Sequence, residues 1–292
     1  MSICLQCPRQ CGIDRSVRTG FCMVPELPVV SRAAPHYGEE PCISGVRGSG
    51  TVFFSGCNLR CVFCQNREIS RGTAGKAVTI PQLRDIFLRL RDLGVHNLNL
   101  VTPSHYASAI AQALDGLDLG IPVIWNSSGY DSVETLKQLE GKVQIYLPDL
   151  KYSDPALARA YSAAPDYPQV ALAALQEMYR QTGPYVLDDD GMMQRGLLIR
   201  HLILPERPKN TKGVLEMLAA ALPQNHYLFS LMSQYTPMPG LERWPELTRT
   251  VTPALSEFCY RCMLKLGITD GYYQDISAAT DEMIPDFDLT GV

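Results

Sequence analysis

Three cysteines, Cys57, Cys61 and Cys64, stand in the run Gly56-Cys57-Asn58-Leu59-Arg60-Cys61-Val62-Phe63-Cys64, a CxxxCxxC spacing with an aromatic residue before the last thiol. Thiolates are the usual ligands of iron–sulfur clusters, and a cubane normally takes four. This loop offers three, with no fourth close downstream. A [4Fe–4S] cluster held here would keep one iron open, which is what catalysis needs and a structural site does not. A structural zinc ion wants four closed ligands, typically two CxxC pairs. The spacing therefore points to a catalytic cluster in preference to a zinc staple or unrelated thiols.

A second set, Cys4, Cys7, Cys11 and Cys22, reads CxxC-xxx-C-x10-C, with Cys42 a candidate fifth member or a packing residue. Four thiols beside Gly12 and Gly20, in a segment with little core of its own, suggest a metal-nucleated fold. Zinc and an auxiliary iron–sulfur cluster both suit four thiolates, and spacing does not separate them. Cys259 and Cys262, three apart in a helical stretch, read as small core residues.

Eight of the ten cysteines fall in the first 64 residues. Dense cysteine at short spacing argues for metal ligation over disulfides in a reducing compartment. The start of the chain has no basic region followed by an apolar run, so no secretory signal is expected. No apolar stretch reaches a spanning length either. A cytoplasmic location with no membrane contact follows as the expectation. The net charge of −4, from 26 basic and 30 acidic side chains, gives no electrostatic footprint for nucleic acid.

The elements that must position the thiols come next. Residues 1–50 read as an irregular Cys-rich metal-binding segment, 51–280 as the catalytic domain and 281–292 as a tail. Continuous apolar runs predict strands at 51–56, 96–101, 121–126, 142–150, 196–205 and 226–232. Helices are expected at 81–94, 104–117, 131–141 (with Asp131 as N-cap), 155–182, 211–222 and near 246–266. Strands without polar alternation are buried on both faces, the mark of a parallel sheet covered by helices. Six βα units in series predict an α/β fold, a partial, open (βα)6 barrel like a TIM barrel, with a doubly wound sheet as the alternative. In either fold the chemistry belongs at the C-terminal ends of the strands, where the Cys57 loop falls.

The loop GCNLRCVFCQN resembles the signature of the radical S-adenosylmethionine superfamily. Its surroundings, EEPCISGVRGSGTVFFSGCNLRCVFCQNREIS, resemble the branch related to pyruvate formate-lyase activating enzymes, in particular activating-enzyme-like iron–sulfur proteins with a CxxCPRxCG N-terminus. The likeness runs over 1–280. It implies that S-adenosylmethionine chelates the open iron through its amino and carboxylate groups. One-electron reduction of the sulfonium then gives a 5′-deoxyadenosyl radical that abstracts hydrogen. It also implies an electron donor such as flavodoxin or ferredoxin, and a protein as a possible substrate. Cluster potentials span about −700 to +450 mV, and sulfonium reduction demands the low end. The protein's share of the work is positioning, tuning and exclusion of water.

The other strand tips supply the candidates for cofactor contact. Thr102, in TPSH (102–105), stands where many members of the superfamily carry a Gly-Gly-Glu-type motif, and backbone carbonyls would serve there instead. His105 reads as a surface residue at a helix start or as part of this site. Asn126 and Ser128, in NSSGY (126–130), match the family's D-T-N-G segment, with an uncharged Asn for the acid and Gly129 as its glycine or a plain turn. Asp149 and Lys151, two apart on an extended chain, point to one side and could clamp a polar ligand. They resemble the D-L-K of activating enzymes. Arg200, inside GLLIRHLILP, must have a partner, since an unpaired buried guanidinium is prohibitively costly; the matching family residue contacts the cofactor. His201 points to the opposite face, as packing or surface. Gln234 stands where activating enzymes have a His near the adenosine. Two radical functions stay open, activation of a glycine in a partner enzyme and modification of a peptide side chain or small metabolite. A non-catalytic iron–sulfur or zinc protein is the remote third.

Overall fold

The computed structural model describes residues 3–72, 74–274, 276 and 285–292. Regular structure begins earlier than the sequence suggests. Strand β1 (Val29–His36) and a single helical turn, α1 (Pro41–Ser44), lie within the stretch expected to be irregular. Then come β2 (Ser49–Phe54), α2 (Arg67–Arg71) and the short β3 (Lys76–Ala77). From α3 (Ile80–Asp92) onward strand and helix alternate: β4 (Leu98–Val101), α4 (Ala107–Leu114), β5 (Val123–Ser127), α5 (Val133–Lys137) and β6 (Ile145–Pro148). The chain continues through α6 (Pro155–Ser162), α7 (Tyr167–Thr182), β7 (Val186–Leu187), β8 (Met193–Leu202) and α8 (Pro208–Ala221). It closes with β9 (Leu228–Met232), α9 (Pro253–Lys265) and β10 (Gly271–Gln274).

Strand order decides between the two architectures left open. Strands β2, β4, β5, β6, β8, β9 and β10 are all parallel, and each pairs with the next in the chain. A doubly wound sheet must reverse its order at a switch point. This one never does, so it curls as a partial barrel. It stays open because β1 continues the sheet antiparallel to β2, with β3 beyond it, while β10 forms the other edge. Strands β2, β4 and β6 are buried at every position, the polar Ser49, Thr51 and Asn99 included.

Local chemistry explains the boundaries. Helix α3 starts at a capping box, in which Thr79 and Gln82 satisfy each other's backbone N–H groups, and it buries Leu83, Ile86, Phe87 and Leu90. Each such side chain contributes roughly 1.5–3 kcal/mol of burial. The stretch 155–182 is two helices, because Ala163 turns left-handed (φ +49°) and Pro165 and Pro168 offer no N–H to continue the first. The N-cap of α5 is Ser132, whose Oγ accepts from Thr135 N, and not Asp131. Asp131 is buried instead, accepting hydrogen bonds from Ser127 Oγ (2.5 Å) and Trp125 Nε1 (3.4 Å). The C-terminal segment lies along β1, with Ala33 N donating to Thr290 O and Leu289 N to Ser31 O. Residues 277–284 lie outside the described residues.

Candidate active site

The thiol loop follows β2 directly, at the C-terminal rim of the parallel strands. Gly56 opens it at φ +79°, and a Cβ there would stand 2.6 Å from the carbonyl oxygen of Cys22, so only glycine fits. Cys57 and Cys61 are buried and Cys64 is half-buried; none is in a disulfide. Burial pushes the Cys57 thiol up to about 12, and its neighbours Cys61 and Cys64 add to the shift. Burial followed by the charge of Cys61 raises Cys64 as well. A thiol so disfavoured as a thiolate is stabilised by cation binding, as a cluster supplies.

Donors already aim at the sulfurs. Leu59 N (3.3 Å) and Arg60 N (3.4 Å) donate to Cys57 Sγ, and Ser162 Oγ donates to Cys61 Sγ at 3.1 Å. Ser70 and the backbone of Asn66 favour the thiolate of Cys64. Buried sulfurs that collect hydrogen-bond donors fit a cluster ligand set. Among the described residues no three Cys, His, Asp or Glu side chains close on one point as a single metal ion requires. A cubane makes no such demand, since its ligands sit on different irons.

All three thiols line a cavity of about 440 Å³ inside the open barrel, and so do Thr102, Asn126, Ser128, Asp149, Lys151, Arg200 and Gln234. Every strand-tip candidate therefore faces the same space. Two of them carry buried polar atoms without a partner in the protein, Ser128 Oγ and Gln234 Oε1. Gln234 Nε2 donates to Gln274 Oε1, which fixes the amide. Unsatisfied buried polar atoms are costly unless a ligand meets them. Their chemistry fits the amino, carboxylate and hydroxyl groups of S-adenosylmethionine. Thr102 sits left-handed at φ +59° and donates its N–H to Asn126 O at 2.9 Å, joining the tips of β4 and β5.

Lys151 Nζ and Asp149 Oδ2 form a salt bridge of 2.6 Å. Burial alone would lower the lysine's pKa, but Asp149 and then Cys61 raise it above its usual value, so it is cationic beside the thiol loop. Tyr167 holds this region in place. Its hydroxyl donates to Ser128 O or Asp149 O (2.8 Å each) and accepts from Lys151 N at 2.9 Å. At Gly129 (φ +72°) a Cβ would collide with Asp149 O, so this glycine is a close approach between the β5 and β6 tips.

Arg200 has the partner that its burial demands, and it comes from outside the strand tips. The guanidinium is forked by Glu40 (Nε to Oε1, 2.9 Å) and also binds Glu39. Glu39 in turn accepts from Asn99 Nδ2 (2.8 Å) and Asn126 Nδ2 (3.3 Å). Burial would raise the Glu40 carboxyl, yet Arg200 holds it below the usual range. Both glutamates line the cavity from the loop after β1. Sequence reasoning gave them no role. The only local signal was an adjacent acid pair just after Gly38.

The histidines settle into supporting positions. His105 is not a surface residue: it is buried, its Nε2 bonds the carbonyl of Ser55 at 2.8 Å, and burial lowers its pKa to about 3. It props the end of β2 where the thiol loop begins. His201 is packing, bonded through Nδ1 to Leu150 O and through Nε2 to Thr211 Oγ1, and burial lowers it to about 4. Cys42 packs with Ile43, Ile124 and Ile145 and stands apart from the other thiols; Cys259 is fully buried on the inner face of α9.

Cys4, Cys7, Cys11 and Cys22 share the N-terminal segment, Cys7 and Cys22 buried and Cys4 and Cys11 half-buried. Cys4 N donates to Ile13 O and Gly12 N to Cys4 O, closing a loop around Cys7 and Cys11. Phe21 N donates to Cys11 Sγ at 3.5 Å, which brings Cys22 alongside. Burial raises Cys7 to about 12, with added contributions from Cys22, Cys4 and Cys11.

The chain is similar to known proteins over the stretch that holds the thiol loop. Residues 51–188 match the model of the radical SAM superfamily. The uncharacterized protein MJ0674 of Methanocaldococcus jannaschii is 29% identical over 259 residues, covering 85% of this chain and 70% of that one. SuiB of Streptococcus suis, in a crystal structure bound to precursor peptide SuiA, superposes with a TM-score of 0.52 at 14% identity over 79% of this chain and 49% of SuiB. SuiB without that peptide gives 0.50 at 13% identity, over 76% and 47%. The chain thus spans about half the length of SuiB, and the likeness is one of fold. No helix among the described residues is long and apolar enough to cross a membrane. The thiol loop lies inside the stretch, residues 51–188, that matches the model of the radical SAM superfamily, a superfamily that works with a [4Fe–4S] cluster and S-adenosylmethionine.

Proposed function

We propose that this protein is a radical S-adenosylmethionine enzyme that removes a hydrogen atom from a polypeptide, with a glycine of a partner enzyme as the leading substrate. The observation that carries the reading is that the three thiols of the loop and all seven strand-tip candidates line one cavity. When bound, the cluster and S-adenosylmethionine supply one-electron cleavage of the sulfonium and a carbon radical able to take hydrogen from substrate.

The chain's own residues do the rest. Cys57, Cys61 and Cys64 hold the cluster, and Ser162 and the Leu59 and Arg60 amides stabilise their charge. Ser128 Oγ and Gln234 Oε1 orient the cofactor through atoms the protein leaves unpaired. The Asp149–Lys151 pair offers one acceptor and one cation to its amino-acid end. Phe63, packed edge-on to Tyr152 and Tyr161 and tilted against Tyr235, keeps water from the thiol loop. An electron donor such as flavodoxin or ferredoxin is required.

Cavity size supports a small reacting group. About 440 Å³ lies near the low end of ligand pockets, which run about 300–1,000 Å³. With cluster and cofactor inside, little room is left for a bulky metabolite, whereas a glycine backbone could enter from the rim. Modification of a peptide side chain is the second reading, favoured by the precursor peptide on the SuiB fold. The test uses extract from the source cells grown on deuterated medium, split by ultrafiltration. Reconstituted, reduced protein with S-adenosylmethionine should form deuterated 5′-deoxyadenosine with the macromolecular fraction. Deuterium transfer from the filtrate alone would overturn the polypeptide reading.

A further inference from the structure

We propose that Arg9 is a positioning residue for the cluster on Cys57, Cys61 and Cys64. From the N-terminal segment it holds the thiol loop against the end of α6, keeps the Ser162 hydroxyl on Cys61, and so sets the cluster's potential. The inference rests on a cluster held by that loop and is independent of the substrate proposed above.

A tight turn delivers the guanidinium. Gln10 N donates to Cys7 O at 3.0 Å, with Gln10 left-handed at φ +40°. Arg9 then places its whole fork on backbone carbonyls from two other parts of the fold. Its Nε donates to Asn58 O (2.8 Å), Nη2 to Ser162 O (2.8 Å) and Nη1 to Ala163 O (2.5 Å). The guanidinium carbon lies 3.8 Å from the centre of the Phe21 ring and 5.2 Å from that of Tyr130, so cation–π attraction holds it as well.

Both ends of the fork lead to cluster ligands. Asn58 stands between Cys57 and Cys61, and its side-chain amide donates to Tyr130 O at 2.7 Å. Ser162 and Ala163 finish α6, where carbonyls lack partners within the helix and a cation meets the negative end of its dipole. Ser162 Oγ donates to Cys61 Sγ (3.1 Å) and shares a hydrogen bond of 2.7 Å with the Tyr152 hydroxyl. One planar side chain thus ties the backbone beside Cys57 to the residue that donates to Cys61. Donors to sulfur favour the reduced cluster. Releasing the end of α6 lets that donor drift from Cys61 and disfavours reduction. A lysine would keep the charge and lose the three-way fork.

The test compares Arg9→Lys and Ser162→Ala, singly and together, with the wild type in the anaerobically reconstituted full chain at matched iron content. The readout is redox titration of the paramagnetic resonance signal that S-adenosylmethionine perturbs. Each single variant should shift the one-electron reduction equilibrium about ten-fold toward the oxidised cluster, or about 59 mV. The double variant should shift it no further than Ser162→Ala alone, and the metal-free Arg9→Lys chain should stay folded. Arg9→Met, which also removes the charge, should shift it at least as far as Arg9→Lys. A wild-type potential in Arg9→Lys, or shifts that add in the double variant, would overturn positioning through Ser162. So would a metal-free Arg9→Lys chain that no longer folds, because the side chain would then serve the fold as a whole. A wild-type chain in which no signal responds to S-adenosylmethionine would overturn the catalytic cluster, and this inference with it.

Discussion

Replacing Arg200 by methionine removes the cation between two cavity-facing carboxylates and keeps most of the side-chain volume. Arg200 is 13% exposed, Glu39 9% and Glu40 1%, so solvent does little to screen the loss. Breaking a buried ion pair by removing one partner typically costs 3–5 kcal/mol, because a charge is left uncompensated. Glu39 keeps its hydrogen bonds from Asn99 and Asn126, which places the cost near the lower end, about 3 kcal/mol. For a domain of this size that lowers the thermal midpoint by about 6–12 °C. The pH dependence carries the sign. In the wild type Arg200 depresses the Glu40 pKa, so the pair's contribution is present above the unfolded value of about 4.3 and fades as pH falls through the folded one. In the variant, burial, the largest influence on this carboxyl, is opposed only by hydrogen bonds from the backbone and Ser230, and raises it. The penalty then grows as pH rises above about 4.3 and is relieved on acidification. Thermal scans of wild type and Arg200→Met at matched iron content, from pH 5 to 8, should show a gap widest at pH 8. A loss under about 1 kcal/mol, or a gap constant across that range, would refute the reasoning.

Three further outcomes follow from the site. Ser162→Ala removes the hydroxyl donor to Cys61 Sγ and should move the catalytic cluster to a more negative potential, read by redox titration of its resonance signal, since donors to sulfur favour the reduced state. Lys151→Met removes the cation beside the thiol loop and should weaken S-adenosylmethionine binding about ten-fold, or about 1.4 kcal/mol, in equilibrium binding to the reconstituted protein; unchanged affinity would assign the pair to structure alone. Gly129→Ala forces a Cβ against Asp149 O at φ +72°, and should cost about 1–3 kcal/mol in denaturant unfolding while raising the KM for S-adenosylmethionine.

The parallel strands were legible because burial on both faces leaves a mostly apolar run, as in VIW of β5 and IYLP of β6. Strands β1 and β10 lack that signal. β1 carries Arg32 and Pro35, and β10 alternates exposed and half-buried residues as a sheet edge does. At α5 two cap-forming residues stand side by side, and only the tertiary structure shows that Asp131 is drawn into the core and Ser132 left to cap. The thiol loop was readable from spacing alone. Glu39 and Glu40 were not, because they meet Arg200 across 161 and 160 residues of sequence. Ser162 likewise reaches Cys61 from 101 residues away. Short-range chemistry is written in the loop, while the side chains that neutralise and tune it arrive through the fold.

The most direct measurement is 5′-deoxyadenosine formed from S-adenosylmethionine by the reconstituted, anaerobic, dithionite-reduced protein, compared with its Cys61→Ala variant. The wild type should release 5′-deoxyadenosine and methionine, and the variant should lose both product and catalytic cluster. A wild-type chain that forms no product and binds only a closed tetrahedral metal at Cys57, Cys61 and Cys64 would contradict the account.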